Sequence, residues 1–157
     1  MEPFTLTSST FEDGGMIPEG CTCDGLNQSP ALQWGGAPSN AQSFVLIVDD
    51  PDAPNGTFTH WVLFDIPKPV QTLDAEQPAV GVAGINDFQE PGYSGPCPPP
   101  GDRAHGYRFT LYALDVPTIN LSQSATRREV ESAMQDHVIA RAQIMGRYQR
   151  RARSAQA

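Results

Sequence analysis

The 157-residue chain contains no apolar run that approaches the ~20 residues of a membrane-spanning helix. Its opening, MEPFTLTSST, lacks the basic-then-apolar order of a signal peptide. Both absences lead to the expectation of a soluble, cytoplasmic protein without membrane insertion. Cysteine is scarce, with Cys21, Cys23 and Cys97 alone. An odd number excludes a complete disulfide framework and leaves at least one thiol free. The Cys21-x-Cys23 spacing has the form of a redox or metal pair, but the preferred reading is of small buried or partly exposed thiols.

Positive charge is equally sparse. Ten Lys and Arg stand against eighteen Asp and Glu, a formal net charge of −8. The deficit is uneven: residues 1–126 carry net −12 and residues 127–157 net +4. An acidic body repels a polyphosphate backbone, so nucleic acid is not an expected partner. The basic end reads as a solvated helix face. Internal repeats, low-complexity tracts and dividing linkers are also missing, and the length suits one domain over residues 1–157.

What is present is turn chemistry. Fourteen Gly and fifteen Pro in a chain that is 39% hydrophobic favour a β-rich fold over a helical bundle or a disordered chain. Three runs read as strands: Ser43–Val48, His60–Ile66 and Tyr107–Leu114. The first is almost wholly apolar, as expected of a strand covered on both faces. Weaker strands are expected at Thr5–Ser9, Ala31–Trp34 and Gly81–Ile85. From Thr126 the pattern changes. Thr126-x-x-Glu129 has the form of a capping box, and Val130, Met134, Val138, Met145 and Tyr148 recur at helical spacing. That spacing predicts a helix over about 126–145, ending at Gly146 and bracing the β body.

Three segments carry candidate chemistry. Asp49-Asp50-Pro51-Asp52-Ala53-Pro54 places three carboxylates in a turn stiffened by two prolines, and their mutual repulsion calls for a metal, a protonated histidine or hydrogen-bond donors. His60-Trp61 opens a strand. Gly95-Pro96-Cys97-Pro98-Pro99-Pro100-Gly101 leads into His105-Gly106-Tyr107. Two of the three histidines thus sit at strand starts beside rigid loops, where binding sites are commonly carried. His137 falls in the expected helix and reads as structural or solvent-facing.

Taken together, the DPDAP run at Asp50–Pro54, His60, and GPCPPPGDRAHGYRFTLYALD at Gly95–Asp115 resemble the phosphatidylethanolamine-binding protein family, also called the Raf kinase inhibitor protein family. The ending at His137–Arg150 is similar to its bacterial and archaeal branch. The resemblance implies a mainly β fold, with a large antiparallel sheet packed on a smaller one, short helices and a C-terminal helix. It further implies a small pocket for anionic head groups, phosphate or carboxylate. Its residues here would be Asp50, Asp52, His60, Gly95, Pro96, His105 and Tyr107. This chain departs from eukaryotic members at Cys97, where they carry a second proline, and at Gly106, where they carry an arginine. Losing that arginine removes a charge near the pocket mouth.

The residues themselves fit such a pocket. Carboxylates raise a nearby imidazole pKa, so a charged His60 and His105 pair could present N–H donors, with Tyr107 and an amide beside Gly95 adding to them. The expected role is a binding protein for an anionic small molecule or phosphorylated group, with millimolar to micromolar affinity. An enzyme using the same Asp, His and Tyr for general acid–base catalysis is the alternative. Neither a cofactor nor a metal is expected, because no H-x-H or H-x-x-x-H spacing supplies two ligands from one element. Cys97 could serve as a thiolate nucleophile only in that enzymatic reading. The family's names suggest a kinase or protease partner, and a homodimer is left open.

Overall fold

A computed structural model describes residues 3–75 and 80–150. Among them are eight strands: β1 (Thr5–Thr7), β2 (Leu32–Gly35), β3 (Ser43–Asp50), β4 (Phe58–Pro67), β5 (Thr72–Leu73), β6 (Val82–Ala83), β7 (His105–Leu114) and β8 (Val138–Tyr148). One helix, α1 (Arg127–Met134), and a short 3-10 turn at Glu19–Cys21 complete the set. The strands form two antiparallel sheets, β1-β2-β5 and β6-β4-β3-β7-β8.

Strand β3 lies at the centre of the larger sheet, and all eight of its residues are buried. Its apolar run therefore meets the condition read from sequence, with both faces covered. Phe44, Leu46 and Val48 face the smaller sheet and pack with Leu6, Leu32 and Trp34. Val45 and Ile47 face the other way, onto Ile119, Val130 and Met134. Burying apolar area on both sides, at roughly 25 cal/mol per Å², makes this strand the core's main support.

The capping box forms as its pattern requires: the Thr126 hydroxyl accepts from the Glu129 N–H, and Glu129 accepts from the Thr126 N–H at 2.9 Å. The helix stops at Met134, however, and residues 138–148 run as β8 along the edge of the larger sheet. The expected helix over 126–145 is thus two elements. Within β8 the buried positions are Ala142, Ile144, Gly146 and Tyr148, a period of two. Val138 is exposed and Met145 only half-buried, so the helical spacing linked residues that share no face. His137 lies in the intervening turn, where its Nδ1 meets Asp115 at 3.0 Å.

Gly146 is therefore no helix terminator. A Cβ there would come within 2.5 Å of Ile17 Cγ1 and 2.8 Å of Phe11 Cε2, so its bare backbone makes room for the segment that covers β8. That segment bonds to β8 through Gly14 N–H to Met145 O and Ile17 N–H to Arg147 O. Overpacking such a contact is costly, and Gly146→Ala is expected to lower the unfolding free energy by about 1–3 kcal/mol in urea denaturation. An unchanged midpoint would show that the contact yields freely.

Candidate functional site

The site is built where β3 ends and β4 and β7 begin, and strand alternation decides which residues enter it. Asp50 continues the face of Phe44, Leu46 and Val48, whereas Asp49 points to the opposite face. His105, Tyr107 and Phe109 follow the same rule on β7. On β4 the pairing jumps from Val48↔Trp61 to Asp49↔Thr59, leaving His60 as the bulged residue. The bulge turns His60 toward the site while its neighbour Trp61 stays in the intersheet core.

The three aspartates are compensated separately. Asp49, buried, receives Arg108 Nε at 2.8 Å and Nη2 at 3.0 Å, together with Arg127 Nη1 from α1 at 2.6 Å. Asp50 accepts the Asp52 N–H at 2.7 Å through Oδ1 and meets His105 Nδ1 at 2.6 Å through Oδ2. Asp52 accepts the Gly106 N–H at 2.8 Å and stands 3.8 Å from Arg103. The DPD turn is therefore sewn to the start of β7 by one ion pair and one amide.

His105 is 1% exposed, and its second nitrogen, Nε2, meets Asp102 at 2.8 Å. Burial lowers its pKa, but the hydrogen bonds to Asp102 and Asp50 outweigh burial and raise it overall. The bond to His105 in turn holds the Asp102 carboxyl below its usual range. With carboxylates on both ring nitrogens, the charged His105 has no N–H left for a ligand.

His60 behaves in the opposite way. Burial pulls its pKa down, and the bond to Ser94 and the charges of Asp50 and Asp87 recover only part of the shift. Its Nδ1 lies 2.7 Å from the Ser94 carbonyl, which can only accept. The neutral ring therefore carries its proton on Nδ1 and a lone pair on Nε2. The expected pair of charged histidines reduces to one, and that one is fully engaged.

These groups border a cavity of about 470 Å³ lined by Asp50, His60, His105 and Tyr107. Its remaining walls are Ala53–Phe58, Asp87, Phe88 and Cys97–Pro99, with no Lys or Arg. Phe58 and Phe88 meet edge-on at 4.7 Å between centroids, and Phe88 also stands 5.6 Å from the His60 ring. Tyr107 lies 5.3 Å from His60 and 6.4 Å from His105. Its hydroxyl is buried and makes no regular hydrogen bond, Asp50 being the side-chain acceptor it approaches. Burial, with Asp50 nearby, pushes its pKa far up, so it stays a neutral O–H donor.

Four of the residues expected at the pocket, Asp50, His60, His105 and Tyr107, are thus brought together. Asp52 supports the wall from behind. Gly95 and Pro96 lie outside the lining: the Gly95 N–H donates to Asn27 at 2.7 Å, and Pro96 O accepts from Cys23. A Cβ on Gly95 would collide with the Cys21 carbonyl, so this glycine serves close backbone packing. Phe58, Asp87, Phe88 and Asp102 were not anticipated. Asp87 and Phe88 are set by Asn86, which accepts the Phe88 and Glu90 amides and donates to Gly92 O and Ser94 Oγ. A large aromatic in a Gly/Pro loop was the only local sign of them. Two of the three expected thiols are also absent, because Cys23 and Cys97 form a disulfide and Cys21 alone is free and buried. Cys97 is consequently no thiolate nucleophile in this state.

A family model described as phosphatidylethanolamine-binding protein matches residues 7–149. The chain belongs to the phosphatidylethanolamine-binding protein family. It is 47% identical over 148 residues to a UPF0098 protein of Aquifex aeolicus, covering 91% of this chain and 86% of that one. Its fold matches a PEBP homolog from Chlamydia trachomatis with a TM-score of 0.90 at 37% identity, over 96% and 99% of the two chains. A further relative, 39% identical over 94% of this chain and 73% of its own length, is the Mycobacterium tuberculosis protein named "Putative lipoprotein LppC". Membership in a family that includes a protein so named overturns the cytoplasmic expectation.

The two site histidines should titrate on opposite sides of the ordinary value of about 6.5. A raised native pKa means His105 contributes stability that is full below that value and is lost as pH rises through its native pKa. A lowered one means His60 costs stability as pH falls below 6.5. Imidazole NMR titration should place His105 above His60, and the reverse order would disprove the assignment.

Proposed function

We propose that the cavity binds a small anionic head group, phosphate or carboxylate, carried by a free molecule or a phosphorylated partner, and takes up a proton on doing so. The observation that carries this reading is the Tyr107 hydroxyl, a neutral donor buried in the cavity wall that approaches Asp50 without making a regular hydrogen bond to it. A bound oxyanion would satisfy it. Neutral His60 presents a lone pair that repels an anion oxygen, whereas protonation on Nε2 turns it into a second, charge-assisted donor. The aromatic walls of Phe58 and Phe88 limit access of water and strengthen both bonds. A kinase or protease partner would engage the cavity by the same chemistry, through a phosphorylated or carboxylate-bearing group. General acid–base catalysis has less support, because His105 is locked between carboxylates and Tyr107 is held neutral.

Calorimetric titration of phosphate and phosphoethanolamine into wild type and Tyr107→Phe tests the proposal. A lost bond to a charged ligand is worth about 1.5–3 kcal/mol, so the variant should bind roughly ten- to hundredfold more weakly. Its folding stability should change little, since the hydroxyl removed makes no regular hydrogen bond within the protein. Equal affinity in the two proteins would refute the assignment. Titrations in buffers of different ionisation enthalpy should show uptake of about one proton above pH 6.5, with affinity strengthening as pH falls. Affinity that strengthens with rising pH would exclude His60 as the donor.

A further inference from the structure

The cavity wall formed by Cys97, Pro98 and Pro99 belongs to a stretch, residues 93–104, with neither helix nor strand. At one end it is tied by Gly95 N–H to Asn27 and by Cys23 N–H to Pro96 O. At the other, Gly101 N–H reaches Arg150 O, and Gln149 donates to Asp102 O. Between these ends Pro98, Pro99 and Pro100 have no amide hydrogen to donate. The middle of the wall is therefore fastened through Cys97, by its disulfide to Cys23 across 74 residues of sequence.

The two sulfurs differ in their surroundings. Cys23 is exposed and Cys97 half-buried. Arg150, whose Nε is held by Asp24 at 3.1 Å, directs Nη1 at Cys97 Sγ from 3.7 Å. A guanidinium beside a departing sulfur stabilises its thiolate, and thiol exchange is faster when the leaving thiolate is stabilised.

We infer that the Cys23–Cys97 disulfide is a reversible thiol-exchange site: a small-molecule thiolate attacks the sulfur of the exposed residue Cys23, Cys97 leaves as a thiolate beside Arg150, and the Cys97–Pro99 wall is released. The bond formed joins the incoming sulfur to Cys23, and the bond broken is Cys23–Cys97. A second thiolate then attacks the incoming sulfur, frees Cys23 and departs with it as the small-molecule disulfide. Two electrons reduce the protein disulfide, two thiols are oxidised to one disulfide, and their protons pass to Cys23 and Cys97. Cys21 does not compete, since burial raises its thiol pKa and keeps it protonated. The consequence for ligand affinity rests on the cavity reading above, whereas the exchange itself does not.

The test uses the intact chain and reduced glutathione without denaturant, with acid quenching, alkylation and peptide mass spectrometry. Expected are a glutathione adduct on Cys23, an alkylated Cys97, and formation slowed about threefold or more in Arg150→Ala. Amide NMR signals of Cys97, Gly101 and Asp102 should shift on exchange, while those of Ser43–Val48 stay in place. An adduct on Cys97, an Arg150→Ala rate equal to wild type, or a disulfide that yields only in denaturant would overturn the inference. Phosphate affinity, measured before and after exchange, should change. Unchanged affinity with the adduct on Cys23 would refute release of the wall. Absence of phosphate binding in both forms, with the adduct on Cys23 and the NMR shifts present, would defeat the cavity reading and uphold the exchange site.

Discussion

A charged imidazole buried between two carboxylates fixes the cavity end of this protein. His105 starts β7, Asp50 ends β3 and Asp102 lies three residues before His105, so a single ring joins the end of a strand 55 residues away to the loop that leads into its own strand. Removing a charge from water costs several kcal/mol unless it is paired and hydrogen-bonded. The pairing at both nitrogens meets that condition only in one geometry. The DPD turn must fold back to place the Asp52 N–H on Asp50, and the loop must return to bring Asp102 beside the ring. Tyr107, two residues along β7, is then set in the cavity wall with its hydroxyl near Asp50 but in no regular hydrogen bond.

The neighbouring Asp49 shows how a strand separates like charges. Alternation sends it to the far face, where Arg108 and Arg127 hold it and fasten α1 to the larger sheet. Three carboxylates adjacent in sequence thereby serve three different partners and do not share one site. Their repulsion is dispersed by geometry, with no shared counterion required. The cavity that results is acidic and aromatic, with no Lys or Arg in its lining. The proposed anion recognition would depend on neutral donors and a mobile proton, a different solution from a cluster of fixed cations.

The position of Cys97 links the cavity to the protein's covalent frame. Eukaryotic relatives are expected to carry proline there, whereas in this chain the residue closes a disulfide with Cys23. Three prolines follow it and donate no backbone hydrogen bond, which leaves the covalent tie as the chief fastening of that stretch. The proposed thiol exchange would in this way couple wall geometry to redox state.

Much of this architecture was legible beforehand. Ser43–Val48, His60–Ile66 and Tyr107–Leu114 were readable as strands because long apolar and β-branched runs leave few alternatives, and Thr126-x-x-Glu129 announced α1 because its two hydrogen bonds are local. The DPDAP, His60 and H-x-Y residues were recognisable in combination. What sequence alone misjudged depends on distant partners. β8 hid because Ala142 and Gly146, small residues on its buried face, weaken a period of two that only Phe11, Ile17 and β7 make visible. The opposite protonation of His60 and His105 follows from burial, which outweighs the Ser94 carbonyl at one ring and is outweighed at the other by Asp102 and by Asp50, 55 residues distant. The Cys23–Cys97 pairing likewise joins loops that meet only after folding. Local periodicity and short-range hydrogen bonds are written in the chain, whereas charge state, cavity and covalent closure arise from contacts whose energy exists only once the sheets have packed.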